Sequence, residues 1–265
     1  MVKNMEESED EQVIGTYTLD VDGYLGRGLF GPVIKARKRD SSDTFAIKKI
    51  SKLVVVENNM AHEMKTIVSN IRTLHHKNIV TVHDILMSPN NICLCMDYVD
   101  GQKLVNIIEN DGNFSSHDTL KYSRQILSAI GYAHSQEICN QNLNPFTVLI
   151  DKSDNVRLLG FDLINDALIF DPIFGFFIGK EIRDIHLQRG SGKKQDMWAI
   201  GALIYYMRMG RGPKDERCPF KHIPFCMKLG NHPNRRIKRV IKNLMCIAPD
   251  RRKSAEEIME FDWFN

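Results

Sequence analysis

Three glycines and one lysine near the start of the chain have the types and spacing to hold a phosphate chain. Gly26, Gly28 and Gly31 form a GxGxxG pattern between two strand-like runs, and Lys48 follows in the run Phe45–Lys48. Backbone amides can approach phosphate oxygens closely at such a turn because glycine has no Cβ, and a lysine adds positive charge. In a dinucleotide-binding unit a helix would follow the third glycine. A strand-like run follows here, which disfavours that unit.

A second group of motifs lies in the C-terminal half of the chain. The motifs are His134-Ser135, NQNLNP (140–145), TVLI (147–150), GFD (160–162), DMW (196–198) and APDRR (248–252). In this order they resemble the catalytic loop, the DFG segment, the buried central helix and the closing helices of serine/threonine protein kinases. The glycine pattern with Lys48 resembles the glycine-rich loop and VAIK strand of the same family. The resemblance covers roughly Tyr17 to Phe264, and the most similar subfamily is calmodulin-kinase-like or NEK-like.

This resemblance implies an α+β, bilobal protein-kinase-like fold with a small β-rich N-lobe and a larger helical C-lobe. We expect an acidic N-terminal tail over residues 1–16, an N-lobe over about 17–97 and a C-lobe over about 98–265. The first twelve residues carry one lysine against five acids, while the whole chain has a net charge of +3. A net charge of +3 is too small to argue for nucleic acid or an anionic membrane as partner.

The elements that must position the motifs follow from hydrophobic periodicity. Alternating or apolar runs predict strands over 33–38, 45–50, 79–85 and 92–98, and spacing near 3.6 predicts helices over 61–74, 120–134, 197–209 and 237–245. The helix over 197–209 is apolar on nearly every side, so we expect it to be buried. Five bases on the last helix favour a solvated face.

The resemblance also implies an adenine slot. The apolar residues of the slot would sandwich the base, Met96 would be the gatekeeper, and the hinge at 97–99 would bond the purine. The candidate nucleotide-binding residues are Gly26, Gly28, Gly31, Val33, Ala46, Lys48, Met96, Asp97, Val99 and Leu149. The alternative is that Val33, Ala46 and Leu149 are simply core residues.

Three positions depart from the family pattern where catalysis is concerned. Asn142 replaces the aspartate that accepts the substrate proton, and an amide cannot act as that base. Thr147 and Gly160 replace the two family ligands of Mg²⁺, which prefers carboxylate oxygens. We therefore expect no catalytic metal site and, at most, binding of ATP without metal. Asp162 could serve as a displaced metal ligand or pair with Lys48.

Other family partners are also altered. Ile67 occupies the position of the helix glutamate that pairs with the lysine, and Glu63 lies one turn earlier. Gln141 replaces the arginine that grips an activating phosphate, and residues 163–185 contain no Ser, Thr or Tyr. That apolar segment would pack on its own lobe or dock a partner. Glu181 is a candidate partner of Arg252.

These departures predict a pseudokinase that acts by protein binding, as an allosteric regulator or scaffold of a protein partner such as an active kinase. One alternative is a weak atypical ATP-dependent serine/threonine kinase that uses Lys48 and Asp162. Another is a metal-independent nucleotide sensor.

The six cysteines show neither a CxxC pair nor ligand spacing with histidine, and the acidic start lacks the apolar core of a secretory signal. No apolar run is long enough to span a bilayer. We therefore expect free thiols, no membrane partner, and an intracellular location in the cytoplasm or nucleus.

Overall fold

The computed structural model describes residues 3–4, 13–28, 30–161, 192–210 and 235–265. These residues belong to two compact units, Met1–Asp100 and Gly101–Asn265. The first is built on a β-sheet, and the second consists mainly of helices.

The sheet of the first unit has seven strands in the order β1-β6-β7-β5-β4-β3-β2 within the described part of the chain. The strands are β1 (Lys3–Asn4), β2 (Val13–Ile14), β3 (Tyr17–Gly28), β4 (Gly31–Lys38), β5 (Thr44–Ser51), β6 (Val82–Met87) and β7 (Asn91–Asp97). Two helices follow β5, α1 (Lys52–Glu57) and α2 (Ala61–Ile71). Every neighbouring pair is antiparallel except β1 and β6.

The central strands β5 and β7 carry the core of the sheet, and β7 is buried continuously from Ile92 to Met96. Ile47 and Cys95 are Cα partners in the two strands, and both are fully buried. Tyr17 is also fully buried, and its hydroxyl donates to Asp84 at 2.6 Å. Burial and this bond to a carboxylate raise the pKa of Tyr17, so its hydroxyl stays protonated.

The second unit packs its helices around one almost entirely buried helix. Its helices are α3 (Leu104–Asp111), α4 (Ser116–Ser135), α5 (Gly192–Met209), α6 (Arg235–Leu244) and α7 (Ala255–Met259), with a 3-10 turn at Pro249–Arg251. Its strands β8 (Gly101–Lys103), β9 (Val148–Asp151) and β10 (Val156–Leu158) form a small antiparallel sheet. Residues 195–205 of α5 are all buried, as the apolar pattern predicts.

Capping residues set the ends of several helices. The side chain of Ser115 accepts from the amide of Asp118 at the start of α4. At the start of α7, Ser254 and Glu257 form a reciprocal capping box. These bonds satisfy amides that have no partner inside the helix.

The predicted α+β class is confirmed, with corrections at several element ends. The strand predicted over 79–85 occupies Val82–Met87, and the helix predicted over 61–74 ends at Ile71, where the Thr73 side chain and amide bond the carbonyl of Asn70. Helix α1 and strand β8 were not predicted. No helix in the described ranges is long and apolar enough to cross a bilayer.

Candidate functional site

The glycine pattern lies in the β-hairpin formed by β3 and β4, hereafter the glycine hairpin, whose geometry requires glycine at Gly31. Gly28 and Gly31 are Cα partners at the end of β3 and the start of β4. Gly31 has a φ of +149°, and a Cβ built there would lie 2.1 Å from the carbonyl oxygen of Lys49. Any larger residue would push this hairpin away from β5.

Lys48 lies beneath this hairpin. It is only 5% exposed and pairs with Val33 across β4 and β5. A Cβ built on Gly28 would lie 3.6 Å from Lys48 Cε and 3.7 Å from its Nζ, so the ammonium group lies next to the hairpin backbone. The structure therefore brings together the two predicted phosphate-binding features of the first unit.

Phe30, at the tip of the hairpin, is anchored in the first unit. Its side chain is 1% exposed, and its carbonyl accepts a hydrogen bond of 2.9 Å from the amide of Ser51. Phe30 is therefore held by its buried side chain and by its backbone bond to Ser51 of β5.

The predicted adenine residues are distributed over both units. Ala46 and Met96 are buried Cα partners in β5 and β7, as both the adenine-slot and the core interpretations expect. Asp97 accepts from the amide of Thr81 at 3.2 Å and lies 2.6 Å from His83 Nε2. Val33 and Val99 are half-buried in the first unit, and Leu149 is half-buried in β9 of the second. The adenine slot stays a prediction.

In the second unit, Asp196 holds the loop that carries Asn142. Its carboxylate is fully buried at the start of α5 and accepts from the amides of Asn140 at 2.9 Å and Gln141 at 2.7 Å. His134 Nε2 lies 2.8 Å from the same carboxylate. With φ of +58°, Gln141 adopts the left-handed conformation that lets both amides face one carboxylate.

Residues 140–147, hereafter the asparagine loop, are joined by amide and hydroxyl hydrogen bonds. Asn140 accepts from the Asn142 amide at 3.1 Å and donates to the Leu159 carbonyl at 2.9 Å. Thr147 Oγ1 accepts from the amide of Asn144 at 3.0 Å and donates to a loop carbonyl. The bonded side chains inside the loop are all uncharged.

Asn142 itself is 5% exposed, and one end of its amide is engaged. Its Oδ1 accepts from Asn144 Nδ2 at 3.2 Å. Its Nδ2 is buried and has no hydrogen-bond partner among the residues that the structure describes. The position predicted to lack a base therefore holds a buried hydrogen-bond donor.

The residues at the two family metal positions do not fit Mg²⁺. The Thr147 hydroxyl is committed to the loop, and Gly160 has no side chain. A Cβ built on Gly160 would lie 3.2 Å from Asn140 Oδ1, so the space beside it is already occupied. Neither position offers the carboxylate oxygen that Mg²⁺ prefers.

A different trio, His134, Cys139 and Asp196, brings its potential ligand atoms within 4.8 Å of one another. The Asp196 carboxylate, however, is already bonded to two amides. Burial and this carboxylate raise the pKa of Cys139 to about 12, which keeps the thiol protonated and a poor ligand. The carboxylate of this trio therefore supports the loop, and its thiol is unsuited to a metal ion.

The structure describes only some of the remaining predicted residues. Glu63 is exposed in α2 and Ile67 is half-buried. Arg252 is buried, donates to the carbonyls of Cys246 and Lys194, and lies 5.0 Å over the ring of Trp198. Asp162, the segment 163–185 and Glu181 lie outside the described residues.

Sequence reasoning missed the role of Asn144. This residue links Asn142, Thr147 and Phe146 through both ends of its side chain and its amide. The available signal was the alternation of asparagines at 140, 142 and 144, because short amide side chains at this spacing readily bond nearby backbone.

Comparison with known proteins agrees with this geometry. The model of the protein kinase domain family matches residues 19–264. Two Arabidopsis thaliana relatives, CBL-interacting serine/threonine-protein kinases 15 and 19, are 28% and 26% identical over 92% and 99% of this chain. The carbon catabolite-derepressing protein kinase of Candida albicans is 26% identical over 91% of the chain. The chain spans 60%, 57% and 40% of these relatives, respectively.

These findings correct the predicted function. The prediction of a pseudokinase, which lacks phosphotransferase activity and acts as a regulator or scaffold, is wrong. The relatives that contradict it are all named as protein kinases. The substitutions at Asn142, Thr147 and Gly160 show which family groups are missing and do not show that the protein is inactive. With the protein kinase fold and a family match over nearly its whole length, the chain belongs to the protein kinase domain family.

Proposed function

We propose that the chain is a slow, atypical serine/threonine protein kinase that uses ATP as phosphoryl donor. The observation that carries this proposal is the buried ammonium group of Lys48 beside the backbone of Gly28. A buried lysine under a glycine hairpin provides positive charge and close backbone approach, which are the two requirements for holding a phosphate chain. The names of the relatives support the choice of serine and threonine as acceptors.

Slow turnover follows from the asparagine loop. Asn142 cannot remove the proton of a substrate hydroxyl, and a positioned base is worth about 10²–10⁴-fold in rate. Phosphoryl transfer nevertheless depends mainly on positioning and electrostatic stabilisation, because its transition state is loose. The Nδ2 of Asn142 would position the hydroxyl oxygen, and the proton would leave to solvent or to the transferred phosphoryl group.

No step in this proposal is assigned to a divalent cation. Thr147 and Gly160 do not supply its ligands, and the loop bonds its own polar atoms instead. We therefore propose that ATP binds through Lys48 and the glycine hairpin without a protein-held metal ion.

The test is incorporation of the γ-phosphoryl group of labelled ATP into a serine/threonine peptide library, located by mass spectrometry. We expect slow incorporation that falls at least about tenfold in Lys48→Met, since a positioned charge contributes at least this much. Lys49→Met is the matched control, because neighbouring residues of a strand point to opposite faces. It should retain the wild-type rate.

The Lys48→Met protein, purified in parallel, also reports any contaminating kinase. Incorporation that is equal in the wild type and in Lys48→Met would overturn the proposed function. Repeating the reaction in EDTA tests the metal: retained incorporation supports the proposal, and incorporation that requires Mg²⁺ contradicts its metal-free part.

A further inference from the structure

The free end of the Asn142 side chain can be identified as its NH₂ group from the bonds around it. The backbone amide of Phe146 is a fixed donor, and it donates to Asn144 Oδ1 at 2.9 Å. This bond places Asn144 Nδ2 at the other end, where it donates to Asn142 Oδ1 at 3.2 Å. Asn142 Nδ2 is then the end that remains. Reversing the Asn142 amide would set two NH₂ groups against each other.

This donor is buried and unsatisfied within the residues that the structure describes. Leaving a buried donor without a partner costs free energy, and such groups are uncommon in folded proteins. The position is also over-determined, since the Asn142 amide and carbonyl are both bonded inside the loop. A donor held in place in this way is suited to an acceptor that arrives with a ligand.

The surroundings favour an anionic acceptor. The side chains that bond within the asparagine loop carry no charge, and the nearby Asp196 carboxylate faces two backbone amides and His134. An aspartate at position 142 would repel a phosphate, whereas an amide NH₂ attracts it. Hydrogen bonds to ionised oxygens are roughly twice as strong as those between neutral groups.

We propose that Asn142 Nδ2 forms a subsite for a phosphoryl oxygen that needs no divalent cation. The ligand carries a terminal, ionised phosphoryl group, either the phosphate ester of a phosphorylated substrate side chain or the terminal phosphate of a nucleotide. This inference rests on the proposed function for its place in the reaction. It implies that the loop binds the phosphorylated side chain more tightly than the hydroxyl it came from.

The experiment is an NMR titration of ¹⁵N-labelled protein in EDTA. The probes are N-acetyl-phosphoserine amide against N-acetyl-serine amide, and ATP against ADP. The side-chain amide signals of Asn142 are assigned by their loss in Asn142→Asp. We expect these signals to shift on adding the phosphorylated probe, and Asn142→Asp to weaken its binding by about ten- to a hundredfold.

Asn155→Asp is the matched control. Asn155 is exposed between β9 and β10, and its Nδ2 already donates to the carbonyl of Ser153 at 3.1 Å. The same change of amide to carboxylate there should leave binding of the phosphorylated probes within about twofold, since surface charges contribute little. If Asn142→Asp does not fold, Asn142→Ala replaces it, and the same loss of affinity is expected.

The two pairs of probes separate the sources of the phosphoryl group. A preference for phosphoserine that disappears in Asn142→Asp supports the side-chain source, and a preference for ATP over ADP that disappears supports the nucleotide source. If neither preference depends on Asn142, the subsite is overturned. Peptide phosphorylation that depends on Lys48 would survive that result, and binding without any phosphorylation would overturn the proposed function alone.

Discussion

The glycine hairpin and the asparagine loop hold their polar groups in opposite ways. In the hairpin, strand pairing holds a buried charge, Lys48, against the backbone of Gly28. In the asparagine loop, neutral side chains bond one another, and the supporting charge is Asp196 behind them. The chain therefore holds a formal charge against the hairpin that we propose binds ATP, whereas the asparagine loop is built from uncharged side chains.

Returning a carboxylate to the asparagine loop should produce the largest effect. Asn142→Asp introduces a proton acceptor, so we expect peptide phosphorylation to rise about 10²-fold, the lower end for a general base. The rate should then fall below about pH 4, where a typical aspartate is protonated. The measurement is the pH profile of phosphoryl transfer. A rate in Asn142→Asp no higher than in the wild type would contradict the inferred cause of slow turnover.

Removing the charge behind the loop should produce the next largest effect. Asp196→Asn replaces one accepting oxygen with a donor that faces the amides of Asn140 and Gln141. We expect the free energy of unfolding to fall by at least about 3 kcal/mol, because buried donors lose a charged partner. Urea denaturation measures it.

Asp250→Asn, an exposed residue in the same unit, is the control and should change stability by less than about 0.5 kcal/mol. Equal stability of Asp196→Asn and the wild type would show that the asparagine loop does not depend on this carboxylate.

In the glycine hairpin, a single added methyl group should reduce the stability of the fold. Gly31→Ala would place a Cβ 2.1 Å from the Lys49 carbonyl at a φ of +149°, so we expect a loss of about 3 kcal/mol from overpacking and backbone strain. Gly112→Ala is the matched control: its φ is +86°, but no atom lies within 4 Å of the new Cβ. Its cost should be about 1 kcal/mol.

Thermal unfolding of the two variants checks the difference between crowding and backbone conformation. Equal losses would mean that the hairpin relaxes away from Lys49 at no cost.

Replacing a charged residue at the surface should have the smallest effect on stability, and it provides a reference for the changes at buried residues. Asp154 accepts from Lys121 and, at 2.5 Å, from the hydroxyl of Tyr122. These partners lower the pKa of Asp154. Because the folded pKa lies below the unfolded one, the contribution is present above about pH 4 and is lost as pH falls through the folded pKa.

Asp154→Asn should therefore reduce stability by less than about 1 kcal/mol at pH 7 and by nothing measurable at pH 2, since exposed pairs are screened. Denaturant curves at the two pH values test this. A larger loss at pH 2 than at pH 7 would reverse the assigned sign.

Much of the fold was predictable because the patterns are strong where burial is complete. The apolar helix at 197–209 and the strands around Lys48 appear close to their predicted positions. Helix α1 was missed because its sequence, KLVVVE, is rich in β-branched residues that favour strands, and the Ser51 cap that starts it is a local side-chain bond.

The site was predictable in its residues but not in its chemistry. The identities of Asn142, Thr147 and Gly160 state what the family positions lack. The direction of the Asn142 amide depends on bonds that run from Phe146 through Asn144, and no spacing rule contains that information. The absence of phosphotransferase activity was predicted from missing side chains alone, and that prediction is wrong for this reason.

The anchoring of Phe30 bears on the energetics of ligand capture. A loop that closes over a ligand loses conformational entropy at the moment of binding, on the order of 1–2 kcal/mol for each residue that becomes ordered. Phe30 is fixed within the fold by its buried ring and by the Ser51 amide. For this residue the ordering cost belongs to folding, so the proposed binding of ATP at the hairpin would not include it.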